Sequence, residues 1–388
     1  MAQRRARLAR RHRLLPGTRT DDVATIADDL VALHSSDPVT VYLSALVRMR
    51  HPSVAAVDTA LYDDRSVVRH HAMRRTLWVA TPSVVRLMHA AATTALVEPE
   101  RRRTLQLLGA NGIEDPQGWL DDARQRVLEV LLEDGPMTAR ALGLKVPELT
   151  HKIQMAPGKS YGASVSAHTR VLLQLGFEGR IVRTRPTGSW VSGAYAYAAM
   201  ETWMDGLHGS TSDSAREAAG EVADAYLRRF GPVTGIDLQW WAGWTAATTR
   251  RALEDAGAEQ VQLDDGPGWV AADDATTASA GPWVALLPGL DPTVMGWKER
   301  GWYLPAEAAD AFDRNGNAGP TIWVDGEVVG AWAQAPDGEL RLHFFRDVPT
   351  PRRRQVERRR DELSAMIADT RFTVRFPGRV NAMLLGDG

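Results

Sequence analysis

Twice in this chain one order of elements recurs, two helices around a tight turn, a third helix and then a β hairpin, which restricts the fold to small modules of winged-helix type. The first copy has a helix near 122–133, a turn at Gly135-Pro136, a short helix from Thr138 and a helix near 164–176. Strands Ile181–Arg185 and Trp190–Ala198 close it around Pro186-Thr187-Gly188. The second copy, from about 215 to 275, has a helix ending at Phe230-Gly231-Pro232, a Trp-rich helix, a helix from Thr245 to Ala256 and a hairpin from Val261 to Val270. Upstream, Val23, Ile26, Leu30 and Leu33 keep helical spacing, break at His34-Ser35-Ser36-Asp37-Pro38, and give way to a second apolar run from Val41 to Val47. Small polar residues at such a break serve as helix caps, which by itself accounts for Ser35, Ser36 or Asp37.

Residues 283–345 change character, with Trp283–Leu287, Thr321–Val324 and Val328–Trp332 rich in β-branched and aromatic residues and Asp325-Gly326 marking a hairpin. The expected architecture is α+β: three tandem winged-helix modules followed by a small C-terminal β barrel. The expected boundaries are 1–120, 121–205, 206–280 and 281–388, the last including an Arg-rich helix from about 352 to 368 and a final strand near Phe372–Phe376. His151–Tyr161 reads as a loop insertion.

With 44% hydrophobic and 24% charged residues in 388, the chain can fill several cores. The lack of cysteine excludes disulfides, thiolate nucleophiles, cysteine-ligated clusters and cysteine-based zinc sites. No cofactor is expected. No apolar core follows the N-terminal arginines, and nowhere do about 18 consecutive apolar residues occur, so a cytoplasmic protein without a membrane partner is expected. Net charge is only −2, yet Arg4, Arg5, Arg7, Arg10, Arg11, Arg13 and Arg19 precede the first acid. Arg352, Arg353, Arg354, Arg358, Arg359 and Arg360 crowd the late helix. Either run could track phosphates or form a solvated face.

Several signals carry no site. Gly158-Lys159-Ser160 resembles the end of a phosphate loop, but Ile153 stands where the upstream glycine belongs. His70-His71, taken as adjacent helix positions, face different ways and have no second ligand cluster, so no metal is expected. Most of the thirteen tryptophans belong to cores and hairpins.

Five segments in order resemble the landmarks of the AlkZ/YcaQ-like winged-helix DNA glycosylases. They are Leu33-His34-Ser35-Ser36-Asp37-Pro38; Met73-Arg74-Arg75-Thr76-Leu77-Trp78; Tyr226 to Thr234 with Trp240-Trp241-Ala242-Gly243; Leu286 to Pro292; and Val324 to Trp332. The resemblance implies three winged-helix units forming a concave DNA-binding surface, a β barrel, and excision of N-alkylated purines, bulky adducts and, in some members, cross-links. Family members carry Gln-x-Gln or Gln-x-Asp after the first helix; His34 and Ser36 match those positions here, and Asp37 follows.

A purine alkylated at N7 or N3 is already cationic, so the enzyme need only hold a water at C1′ and stabilise an oxocarbenium-like transition state. His34 can accept from that water at one ring nitrogen while the other is fixed by a hydrogen bond, Ser36 can accept from the water or orient His34, and Asp37 can supply negative charge. Arg74 and Arg75 are candidate phosphate contacts, as are Arg183 and Arg185 on the first hairpin; a carboxylate-paired arginine or a solvated wing is the other reading of each. Only four lysines occur, none in a Schiff-base context, which favours a monofunctional glycosylase. The expected partner is duplex DNA containing alkylated purines, bound by a monomer, in repair or in self-resistance to a DNA-alkylating natural product. The competing functions are a non-catalytic winged-helix DNA binder, regulatory or lesion-shielding, and a protein-interaction scaffold.

Overall fold

The computed structural model describes residues 1–155, 162–204, 207, 215–274 and 277–385. Gly158-Lys159-Ser160 lies outside them. The N-terminal region contains α1 (Ala2–Arg11), α2 (Val23–Asp29), β1 (Leu33–His34), α3 (Pro38–Leu46), α4 (Val54–Asp58), β2 (Val68–His71), β3 (Leu77–Ala80), α5 (Pro82–Met88) and α6 (Thr94–Ala110). Its antiparallel sheet has the order β1-β3-β2, so the short β1 lies against β3 with His34 opposite Trp78. His70 and His71 lie on β2 and not on a helix. Among the described residues no group of histidine, aspartate and glutamate could hold a metal ion.

Next come α7 (Pro116–Asp134), β4 (Met137–Thr138), α8 (Ala139–Lys145), β5 (Lys152–Met155), β6 (Ala163–Ser166), α9 (His168–Phe177), β7 (Ile181–Pro186) and β8 (Tyr195–Ala199). The segment read as a loop insertion begins instead with β5, which pairs with β6. Trp190 precedes β8, which starts only at Tyr195. A separate apolar cluster draws its residues from Leu108 to Ala199, whereas the larger core joins the N-terminal region to the helices within 215–255 and to the C-terminal sheet.

The following segment holds α10 (Ala215–Phe230), α11 (Gly235–Ala242), α12 (Ala246–Asp255) and the hairpin β9 (Glu259–Leu263) and β10 (Gly266–Val270). Local chemistry sets these limits. Thr234 and Asp237 form a reciprocal capping box at the start of α11, Gly243 ends it in the left-handed region, and Thr245 caps α12.

The C-terminal region has β11 (Val284–Leu287), α13 (Pro292–Met295), β12 (Thr321–Val324), β13 (Glu327–Gln334), β14 (Leu340–Phe344), α14 (Thr350–Ile367) and α15 (Arg379–Leu385). The expected barrel is not found: the described strands form an open sheet in the order β11-β12-β13-β14, with α14 packed beside β11. Phe372–Phe376 adds no strand. The Gln334 side chain accepts from Phe372 N–H (3.0 Å) and donates to the Thr370 carbonyl (3.0 Å), tying this segment down by an amide where a ladder would have paired it. No helix among the described residues is long and apolar enough to cross a membrane.

The N-terminal arginines are largely structural. Arg7 and Arg11 both reach Asp274, Arg5 reaches Glu327 and the Trp302 carbonyl, and Arg13 pairs with Asp29. In the late helix, Arg352 pairs with Asp325, Arg359 with Glu362 and Arg360 with Asp361. The N-terminal groups and Arg352 tie separate elements together, whereas Arg359 and Arg360 pair within α14 itself.

Candidate active site and nucleic-acid interface

Two short backbone features build the site. One is the turn from His34 to Asp37. Its geometry follows from Asp37-Pro38: proline needs no N–H at the first helical position of α3, and the Asp37 carboxylate accepts from Val39 N–H (3.2 Å). The second carboxylate oxygen accepts from Arg375 N–H (3.0 Å), so the C-terminal segment is fastened to the same turn. Burial pushes the Asp37 carboxyl upward, and these two N–H donors work against that rise. The Arg375 guanidinium also donates to the Ser36 carbonyl (3.4 Å).

His34 is buried against Trp78, with ring centroids 4.7 Å apart. Burial, reinforced by the charge of Arg74, pushes its pKa down to about 3, so the ring is neutral at physiological pH. Ser36 N–H donates a long hydrogen bond (3.4 Å) to Nδ1, which places the ring proton on Nε2. One nitrogen is fixed as expected, but it is the accepting Nδ1, so the free nitrogen is a donor and not the water acceptor that the sequence suggested. His34 can therefore hold a water by its oxygen through Nε2–H, while Ser36, partly exposed beside it, can accept from the water.

The other feature is the tip of the β2–β3 hairpin. Thr76 N–H donates to the Met73 carbonyl (3.2 Å), leaving Arg74 (φ 55°) and Arg75 (φ 62°) as the two central residues of a turn, both left-handed. Such a turn ordinarily takes Asn-Gly, because a Cβ is strained there. Arg75 pairs with Glu100 (2.8 Å), which also receives Arg170. Arg74 lies against the Trp240 ring, its guanidinium carbon 4.1 Å from the centroid, and borders a cleft of about 630 Å³ between this tip, α10 and α12. Ala91, Leu96, Trp244 and Thr248 also line the cleft.

The hairpin arginines have partners of their own. Arg185 contacts Asp58 (3.0 Å) and Asp63 (3.2 Å) and lies over Tyr62. Arg183 leans toward Tyr195 and Tyr197, with its Nε enclosed and without a hydrogen-bond partner among the described residues. The structure thus gathers His34, Ser36, Asp37 and Arg74, while Arg75, Arg183 and Arg185 engage carboxylates or tyrosines around them. Three neighbours were not foreseen. Arg69 donates to Ser35 Oγ (2.8 Å) from β2, Arg375 holds Ser36 and Asp37, and Arg300 approaches Trp240. None stands in a local motif, and β2, buried at all four positions, carries no alternation that would have marked Arg69.

A family model described as DNA glycosylase AlkZ-like matches residues 27–366. The structure is similar to Streptomyces sahachiroi DNA glycosylase AlkZ, with a TM-score of 0.72 and 21% identity over 96% of this chain and 98% of that one, a likeness that speaks to the fold. No curated protein matches the sequence in a direct comparison. With the family model spanning most of the chain, the protein belongs to the AlkZ-like DNA glycosylase family.

Proposed function

We propose that this protein hydrolyses the N-glycosidic bond of purines alkylated at N7 or N3 in duplex DNA, as a monofunctional glycosylase. One observation carries the choice of substrate: the site can place a water but offers no strong base. His34 is neutral with Nδ1 occupied, and both oxygens of Asp37 accept backbone N–H groups. A neutral leaving group would need an acid and a free base, whereas a cationic purine departs with neither. In this reading Nε2–H of His34 and the Ser36 hydroxyl orient the water, and the buried Asp37 charge stabilises the developing cation. Arg74 is the first candidate for strand contact, with Arg75, Arg183 and Arg185 as candidates around it. The winged-helix description of the three helix-and-hairpin units, monomeric action, a cytoplasmic setting and a role in self-resistance belong to the same proposal.

The test is incubation with duplex DNA carrying N7-methylguanine or a bulky N7 adduct, followed by alkali and measurement of strand breaks above a no-enzyme control. Breaks at the alkylated purine, and none at uracil, support the reading; breaks at uracil as fast as at N7-methylguanine contradict it. Strand scission without alkali would remove the monofunctional assignment. Binding without breaks would favour the non-catalytic reading, whose particular support is that the acceptor groups of the turn are already engaged.

A further inference from the structure

Two arginines meet on one indole. The guanidinium carbon of Arg74 lies 4.1 Å from the centroid of Trp240, and that of Arg300 lies 5.1 Å from it. Neither has a carboxylate within ion-pair distance among the described residues, whereas Arg75, Arg170 and Arg185 nearby each have one. Both terminal nitrogens of Arg74 lack a hydrogen bond among the described residues yet are not sealed from solvent; only its Nε is enclosed. Two like charges held together in a half-buried place cost free energy unless an anion joins them.

The surrounding structure enforces this meeting. Asp237, buried in the capping box of α11, accepts from the N–H groups of Lys298 and Glu299 (2.8 Å each), which fixes the segment carrying Arg300 beneath α11. Arg300 is steadied further by its Nε bond to the Trp297 carbonyl (3.0 Å) and by the Phe312 ring. From the other side, the strained tip brings Arg74 against Gly243 so closely that a Cβ there would lie 3.1 Å from Arg74 Cγ. Burial and the neighbouring Arg300 charge push the Arg74 guanidinium down to about 10, still cationic at neutral pH.

We propose that Arg74 and Arg300, presented on Trp240, form a clamp for a backbone phosphodiester of the DNA strand that passes the His34–Asp37 turn. The clamp rests on the DNA-binding part of the function above but not on the identity of the excised base. Guanidinium forks match phosphate geometry, and the indole face orders them in advance. The position suits the chemistry, because the charge of Arg74 already acts on His34.

The experiment is binding of undamaged duplex DNA over a range of salt, comparing the wild type with Arg300→Ala, Arg300→Lys and Arg74→Ala, each checked for a native melting transition. Removing one phosphate contact should weaken binding several-fold and flatten the slope of log affinity against log salt by about 0.9. Arg300→Lys should keep the slope and lose part of the affinity. A duplex with single neutral methylphosphonate linkages, stepped along one strand, then separates a backbone phosphodiester from a free anion: one position should weaken the wild type but not Arg300→Ala. Should Arg300→Ala fail to fold, Arg300→Gln serves in its place. A folded variant with wild-type slope and affinity would overturn the clamp. Because base release is not measured, a duplex-binding protein that excises nothing would still reveal the clamp.

Discussion

Arg48 and Asp291 stand 243 positions apart in the sequence and form a two-pronged ion pair at 2.8 and 2.9 Å with both side chains fully buried. Ser44 and Thr293 complete it, and Arg48 Nε–H donates to the His12 backbone carbonyl. Burial would raise the Asp291 carboxyl, but Arg48 and the other donors outweigh that and hold it below its usual range. Removing one member leaves the other charge buried alone. Arg48→Met should therefore cost roughly 3–5 kcal/mol, read as a lowered urea midpoint. Replacing both residues with apolar side chains should recover much of that loss.

The Arg74-Arg75 turn is predicted to trade stability for function. Strained non-glycine residues in the left-handed region cost on the order of 1 kcal/mol each. Asn-Gly at these positions would relieve that strain. Glu100 keeps Arg170 when Arg75 is removed, so no carboxylate is stranded. The double variant Arg74→Asn, Arg75→Gly should melt at or above the wild-type temperature while binding duplex DNA more weakly. A variant that melts lower would show that the turn is held by contacts stronger than its strain.

His34 should behave as an orienting donor. His34→Ala is expected to reduce release of N7-methylguanine by about a hundredfold or more with duplex affinity nearly unchanged. His34→Gln keeps an N–H donor and should retain part of the rate. Because the ring stays neutral down to about pH 3, the rate should show no inflection near pH 6.5 from this residue. A rate that falls with a midpoint near 6.5 would instead mark a histidine that titrates in the working range.

Acid should destabilise the fold through its buried histidines. His12, His34 and His71 are each pushed down to about 3, first by burial and then by a neighbouring arginine. The unfolded chain takes up these protons near pH 6.5 and the native state does not. Their contribution is thus complete above pH 6.5 and lost progressively as pH falls toward 3. At pH 5 each should account for about 2 kcal/mol. Thermal melting between pH 7.5 and 5 should show a marked fall, and His71→Phe, next to the Phe177 ring, should make it shallower.

Where structure is set by neighbours in the chain, the sequence was sufficient. The helices and hairpin of 215–270 followed from periodicity and from the break at Phe230-Gly231-Pro232, and the structure shows Thr234, Gly243 and Thr245 setting their limits within a few residues. The Asp37-Pro38 cap and the polar turn before it were legible for the same reason. The ordered landmarks also pointed to the family that the family model matches.

What depends on how elements dock was not legible. Arginine has the same side chain whether it meets a phosphate or Asp274, and no local pattern shows that residues 7 and 11 will find a carboxylate more than 260 positions away. The segment 372–376 has strand composition, yet the Gln334 amide captures its backbone and the sheet stays open. Likewise, which nitrogen of His34 carries its proton is decided by the fold of the turn that aims Ser36 N–H at Nδ1. Local sterics and capping determine where helices and turns begin; long-range burial and charge pairing determine what each polar side chain is left to do.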